Sequence, residues 1–468
     1  MLVAFALGGC DEGAAQPQAR ITADPALIPA FRLKQTDYAV RCTGRPVEFS
    51  LDVPGGWRAV SGNRNFGPGA HRVAVRMKPG QSRRIRLIDP RSRLRLFHLR
   101  CLPRDFPRFR VSGRGGPRLT LVEMTGGYAA AFDSAGAPVW WYKARGFPEN
   151  VQFMSDGTVS FAPIAGGEIK KQFEIRTLEG RLIRRLIAAK GLETDLHDLI
   201  LRPNGNYLIG AHRLVSGINT KRFGGAANAT IDTAQVQEIR PDGSLVWKWN
   251  AWPRIKLAES RRWWEQILEW PQPYDIHHWN SIERRGNRVV MSFRHLDAAY
   301  QINRRTGNID WKLGGTKTRQ RLRIRGDRYG RYPFGGQHDI RYAPGRSVTL
   351  FDNSTDLSHR WKNRPPRAVR YRIDAERNQA RLIDQVTDDR AEISLGFGSA
   401  RLYGDNWLIG WGARSRDGLI GAYGTGGRRR LSLITPGGVS YRGNEVTSKR
   451  PALKRLRRAM NRMSARHG

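Results

Sequence analysis

No apolar run in the sequence approaches 18 residues, so no helix long enough to span a bilayer is expected. Helical periodicity is equally scarce. Short alternating segments, 51 Gly and 25 Pro favour an all-β fold instead. Acidic residues are in deficit: 41 Asp and Glu stand against 81 Lys and Arg, a net charge of +40. Such a balance suits either a polyanion or acidic-membrane partner or simply a solvated surface. The arginines are scattered and no nucleic-acid motif accompanies them, so no nucleic acid partner is expected. The sequence has no Gly-x-Ser-x-Gly elbow, no phosphate-binding P-loop and no obvious carboxylate pair. These absences argue against serine-hydrolase, P-loop and glycosidase chemistry. What is present is 468 residues, 39% hydrophobic, with 14 Trp spread along the chain, enough for a large packed core.

Cysteine is also sparse, and its three copies carry unequal information. Cys10 lies in LVAFALGGCDEG, an apolar run followed by Leu7-Gly8-Gly9-Cys10, which resembles a lipobox. That likeness implies an exported protein, lipidated at Cys10 and anchored to the membrane. The run is short and lacks a basic leader, which suggests a translation start further upstream. In an exported protein the remaining pair, Cys42 and Cys101, is expected to form a disulfide; two buried free thiols are the alternative. The bond would close a loop of 59 residues, worth about 4 kcal/mol in the chain-entropy model.

Composition shifts divide the chain into a signal segment and lipobox (1–10), a polar Pro-containing tether (11–30), and a small N-terminal β-sandwich (31–105). A β-propeller (106–445) and a basic tail (446–468) follow. The tail reads either as a basic amphipathic helix or as a disordered end. The propeller expectation rests on an internal repeat. An acidic or small turn followed by a strand that often carries Trp recurs six times, from DSAGAPVWWY at Asp133 to TPGGVSYRG at Thr435, alternating with a second type of hairpin. Six repeats of several strands each imply six blades.

Histidines fall at a fixed phase of this repeat. His197 and His278 each precede a hairpin glycine, Gly205 and Gly286, by 8 residues, and His338 precedes Gly345 by 7. Counting 8 residues past each glycine reaches Arg213, Arg294 and Asn353. Positions equally far from a hairpin turn lie opposite one another. His278 is therefore expected to face Arg294, with His197 and His338 at the same level of adjacent blades. A cluster of imidazoles and one guanidinium suits a compact anion whose charge spreads over three oxygens. Phosphoryl transfer usually adds a carboxylate-held divalent metal. A sulfate monoester carries one charge fewer, so protein donors suffice, and neither metal nor cofactor is expected. The neighbouring Asp198, Asp275 and Asp339 are expected to orient the imidazoles.

The segments DIHHWNSIERRGNRVVMSFRHLDAAYQINRRTGNIDWKLGG, GGQHDIRYAPGRSVTLFDNS and GSARLYGDNWLIGWG resemble three successive blades of the bacterial arylsulfate sulfotransferase family. FHLRCLPRDFP is similar to the junction after the small N-terminal domain of its broader, actinobacterial-type branch. The resemblance implies a six-bladed propeller behind an N-terminal β-domain. It also implies transfer of a sulfuryl group from a phenolic sulfate ester to a phenol through a sulfohistidine, without phosphoadenosine phosphosulfate. Matched by motif, His338 stands as nucleophile, and His278 and Arg294 as the groups holding the sulfuryl oxygens. His197 stands as a further catalytic histidine, and Asn280 and Asn353 as substrate-binding residues. His277 competes with His278, but phase and motif both select His278. Two other readings stay open: a quinoprotein-like propeller, since TGNIDW resembles the Trp-docking repeat of that class, and a non-catalytic binding propeller. A transition metal held by the in-phase histidines is a third.

Overall fold

A computed structural model describes residues 18–165, 168–169, 171–355, 364–414, 417–437, 439–445 and 452–466. Cys10, with its lipobox, lies outside the described residues. The chain divides into two compact units, Met1–Arg104 and Asp105–Gly468. Strand dominates both, and no described helix is long and apolar enough to cross a membrane.

In the first unit, strict alternation builds two sheets around one core. VEFSLDV buries Val47, Phe49, Leu51 and Val53 and exposes the residues between them. It pairs with Arg20–Asp24 and Gly69–Val75 in a three-stranded antiparallel sheet. Five further strands form the other sheet, in which Asp37–Arg41 runs parallel to Leu94–Leu102. Tyr38, Phe97 and Leu99 from this sheet share a core with Phe49 and Leu51. The parallel register sets Val40 beside Cys101, and Cys42 is disulfide-bonded to Cys101 with a Cα separation of 5.6 Å. Such a bond points to an oxidising, extracytoplasmic compartment.

Among the described residues the second unit holds six sheets of four or five strands, following one another along the chain, and one two-stranded sheet. One strand from each of the six, called its first strand below, meets its counterpart in the neighbouring sheet: Leu119–Met124, Phe147–Phe153, Glu193–Leu201, Trp279–Arg285, His338–Ala343 and Ser399–Tyr403. Each lies against the next. Ser399–Tyr403 reaches Asn444–Glu445, which is hydrogen-bonded to Leu119–Met124, so the row closes on itself. The closure is reciprocal, because Arg110–Gly113, from the start of the unit, pairs with Arg429–Pro436 in the sixth sheet.

The repeated turns have a common chemistry. Asp133, Asp156, Asp242 and Asn303 each accept a backbone N–H two residues on, and Gly157 and Gly243 take the left-handed conformation the turn requires. The repeated Trp join neighbouring sheets: Trp140 donates to Leu178 O and Trp249 to Gly307 O, both at 2.9 Å. The C-terminal segment Leu453–Arg466 is helical, and its Leu456, Ala459 and Met460 are buried. It packs beside Pro138–Lys143, where the Trp141 N–H meets Met460 Sδ at 3.4 Å.

Candidate active site

Four consecutive first strands slip register at one level: between Glu149 and Gln152, Asp195 and Leu199, Trp279 and Ser281, and His338 and Arg341. A bulge re-aims side chains out of the pleat. Here it leaves Asn150, Asp198, Asn280 and Asp339 buried. Asn150 and Asp339 hold positive φ of 54° and 58°, and His278 holds 21°. Three arginines fill the space between them. Arg442 donates to Asp198 at 2.9 Å, to His197 O at 2.6 Å and to Asn280 O at 2.8 Å. Arg341 bridges Asp198 and Asp339, and Arg401 also binds Asp339. Each charge in this layer is paired, so it forms a rigid floor.

The histidines stand at the same level. His338 is buried, with Nδ1 2.9 Å from Gly336 O and 2.8 Å from Asn353 Oδ1. A main-chain carbonyl accepts only, so Nδ1 carries the proton and Nε2 the lone pair. Nε2 accepts the Phe397 N–H at 3.2 Å. Burial, and then the positive charge of Arg294, push His338 well below the usual histidine range, so the ring is neutral. His197 is set differently. Its Nδ1 and its main-chain N–H both meet Asp195 Oδ1, at 2.7 and 2.8 Å. Burial opposes its charge, but Asp195 and Glu149 outweigh burial and raise it above the usual value. His278 repeats the motif, with Nδ1 2.5 Å from Asp275 Oδ2. The rings of His197 and His278 meet edge to face at 5.1 Å.

Arg294 is the unusual cation. Its main-chain N–H donates to His278 O at 2.8 Å, which sets it opposite His278 across the hairpin. Its guanidinium lies 4.5 Å over the Trp263 ring and donates to His295 Nε2 at 2.9 Å and Leu395 O at 3.4 Å. Among the described residues it forms no ion pair. Burial pulls it down to about 10, against the opposing charges of Asp275 and Asp297. A half-buried guanidinium that makes no ion pair among the described residues, next to a neutral imidazole, is able to meet an anion.

Several sequence expectations change in detail. Arg213 does not face His197, because the three extra residues of the bulge shift the ladder and pair Glu193 with His212. Asp275 orients its histidine as expected, but Asp198 and Asp339 serve the arginine floor. Asp195 and Asn353 orient His197 and His338 in their place. Asn280 donates to Gln337 O at 2.8 Å, and Asn353 donates to Ser394 Oγ and Phe397 O, so both amides are engaged within the protein. His277 is buried away from the cluster, its Nδ1 2.6 Å from Thr233 Oγ1. Burial pushes it down to about 4.

Sequence reasoning missed Asp195, His212, Trp263, His295 and Phe397. The Asp-x-His spacing of Asp195 and His197 was a readable signal; the others come from outside the repeat phase. Asp275, His278 and His295 bring possible metal-ligand atoms within 4.8 Å of one another. Their ring nitrogens are largely committed: His278 Nδ1 to Asp275, His295 Nδ1 to Asp275 O, and His295 Nε2 to Arg294. A cavity of about 770 Å³ opens at the turn end of the fourth and fifth sheets, between Arg285 and Ser347, and contains none of these residues.

No curated protein sequence matches the chain. Among solved structures, the β-propeller domain of Myceliophteria thermophila Cps50 (Swd1) is 10% identical over 73% of this chain and 90% of its own, with a TM-score of 0.39. Pseudomonas aeruginosa periplasmic gluconolactonase, PpgL, is 12% identical over 72% of this chain and 99% of its own, with a TM-score of 0.38. Likenesses this distant carry no argument about function. The sequence profile of the arylsulfotransferase (ASST) family matches residues 110–425, which include His197, His278, Arg294, His295 and His338. The chain belongs to the arylsulfotransferase family.

Proposed function

We propose that the protein moves a sulfuryl group from a phenolic sulfate ester to an acceptor phenol by a ping-pong route through a sulfohistidine at His338, independently of phosphoadenosine phosphosulfate. Family membership supports the aryl sulfotransferase activity itself. The observation that carries the finer reading is the half-buried Arg294, without an ion-pair partner among the described residues, whose charge acts on a neutral His338 with its lone pair on Nε2.

In the first half-reaction Nε2 of His338 attacks sulfur. The N–S bond forms as the S–O(aryl) bond breaks, and the departing phenolate takes the proton of His197 Nε2. Sulfur has to displace the Phe397 N–H, a long hydrogen bond of 3.2 Å. Arg294 and His278 meet the charge on the sulfuryl oxygens. Nδ1 keeps its proton, shared between Gly336 O and Asn353 Oδ1, because neither acceptor is basic enough to remove it. The sulfated ring is therefore cationic and leaves as neutral imidazole. In the second half-reaction His197 takes the acceptor's proton as its oxygen attacks sulfur. Asn353 and Asn280 act on this reading as positioning residues.

We read the six sheets as the blades of a six-bladed propeller, preceded by a small β-sandwich. The closed row of first strands and the exchange of strands between the first and sixth sheets support this. An extracytoplasmic location fits the Cys42–Cys101 bond, and a lipid on Cys10 would add a membrane anchor. Cys10→Ser is then expected to release the exported protein into the soluble fraction; an unchanged membrane fraction contradicts the anchor. The activity is tested with 4-nitrophenyl sulfate. Without acceptor, one equivalent of nitrophenolate per protein is expected, and with added phenol, sustained turnover. Release that ignores phenol contradicts transfer.

A further inference from the structure

The cation at the centre of the site is held in an unusual way. Two guanidiniums lie over the Trp263 ring, Arg262 at 4.7 Å and Arg294 at 4.5 Å. Arg262 is neutralised by a two-pronged pair with Asp297, at 2.6 and 2.9 Å. Arg294 has an imidazole in the equivalent place, His295, whose Nε2 accepts at 2.9 Å. His295 is itself buried and fully engaged. Its Nδ1 lies 2.7 Å from the Asp275 carbonyl, which accepts only and so fixes the proton on Nδ1. The ring packs 4.6 Å from His278 and 4.8 Å from Trp263. The Asp275 carboxylate meanwhile holds His278 Nδ1. One residue thus fixes one oxygen-binding group directly and the other through His295.

We propose that His295 is the positioning residue of the sulfuryl site: an imidazole locked in its Nδ1–H form by the Asp275 carbonyl, whose Nε2 orients the Arg294 guanidinium while leaving its charge to the substrate. The proposal rests on the reading of Arg294 as a sulfuryl-oxygen ligand. A carboxylate in the same place would orient the guanidinium equally well but would neutralise it, as Asp297 does Arg262. Burial, followed by the partly opposing charge of Asp275, takes His295 down to about 3, so it stays an acceptor over the working pH range. The groups facing it are Asp275, His278, Arg294 and the Trp263 ring.

Three variants separate charge from shape: His295→Gln offers an uncharged acceptor, His295→Glu an anionic one, and His295→Phe none. The readout is single-turnover release of nitrophenolate from 4-nitrophenyl sulfate, with folding checked by thermal melting. The Gln variant is expected to stay within about tenfold of wild type. The Glu variant is expected to lose about 10²–10³-fold in the single-turnover rate constant, the usual cost of removing one preorganised donor, with a smaller change in KM. Its rate relative to wild type should climb as pH falls through the glutamate titration, because the protonated acid no longer cancels Arg294. A merely structural role would not produce that pH dependence. Equal rates for Gln and Glu, or a Glu-to-wild-type ratio flat with pH, overturn the proposal. Arg294→Gln separates the two levels. If it transfers like wild type, the parent reading fails; if it is slow while His295→Glu is not, only this proposal fails. Should the Glu variant not fold, nitrogen NMR of the wild-type protein decides: His295 protonated on Nδ1 supports the assignment, and on Nε2 refutes it.

Discussion

Asp195→Asn isolates the group that keeps His197 protonated. In the folded protein the Asp195 carboxylate accepts His197 Nδ1–H at 2.7 Å and lies 3.4 Å from His212 Nε2, and it is buried. At an effective dielectric near 20, a unit charge about 4 Å away is worth about 4 kcal/mol, enough to outweigh burial and hold the imidazole above its usual value. Asparagine preserves the hydrogen bond but not the charge, so burial then prevails and His197 falls below its usual value. The sign follows directly. His197 acts as an acid when protonated, so the descending limb of the rate profile should move to lower pH. The raised value also stabilises the fold below about pH 6.5, a contribution lost as pH rises through the folded value, and the variant forfeits it. The assay is single-turnover transfer across aryl sulfates whose phenols differ in acidity. At pH 8, phenyl sulfate should slow by about 10²-fold, since proton assistance is typically worth 10²–10⁴. The 4-nitrophenyl ester, whose leaving group needs little assistance, should remain within a fewfold of wild type. An equal loss across the series, or an unmoved descending limb, refutes the assignment of His197.

Arg442→Met should cost about 3–5 kcal/mol by calorimetry, because it strips one charged partner from buried Asp198 and one donor each from the His197 and Asn280 carbonyls. Cys42→Ser with Cys101→Ser should lower the stability of the first unit by about 4 kcal/mol, the entropy of freeing a 59-residue loop, without changing transfer. His277→Asn should destabilise by about 1–3 kcal/mol, as typical for a buried site, yet still form the sulfated enzyme, whereas His278→Asn should slow its formation. Both are read by melting curves and single-turnover rates.

Much of this arrangement is legible from spacing. Turn residues and alternation mark the hairpins, and the count from Gly286 places Arg294 opposite His278, where its N–H binds the His278 carbonyl. The same count fails for Arg213, because a three-residue bulge before Leu199 carries no sequence signal. Bulges also explain why Asp198 and Asp339, adjacent in sequence to His197 and His338, turn away into the arginine floor. A change of face by one residue is invisible to a period-two pattern. His295 and Phe397 escape notice for another reason. They sit on a tight turn and a loop, where function depends on which atom meets which across more than a hundred residues of sequence, as with Arg294 and Leu395.

The most direct test is to treat the purified protein with a radiolabelled aryl sulfate in the absence of acceptor and to locate the label by peptide mapping under alkaline conditions. One equivalent of acid-labile label on His338, discharged by added phenol and absent from His338→Ala, is the predicted result. Label on another residue, or wild-type transfer by His338→Ala, contradicts the mechanism.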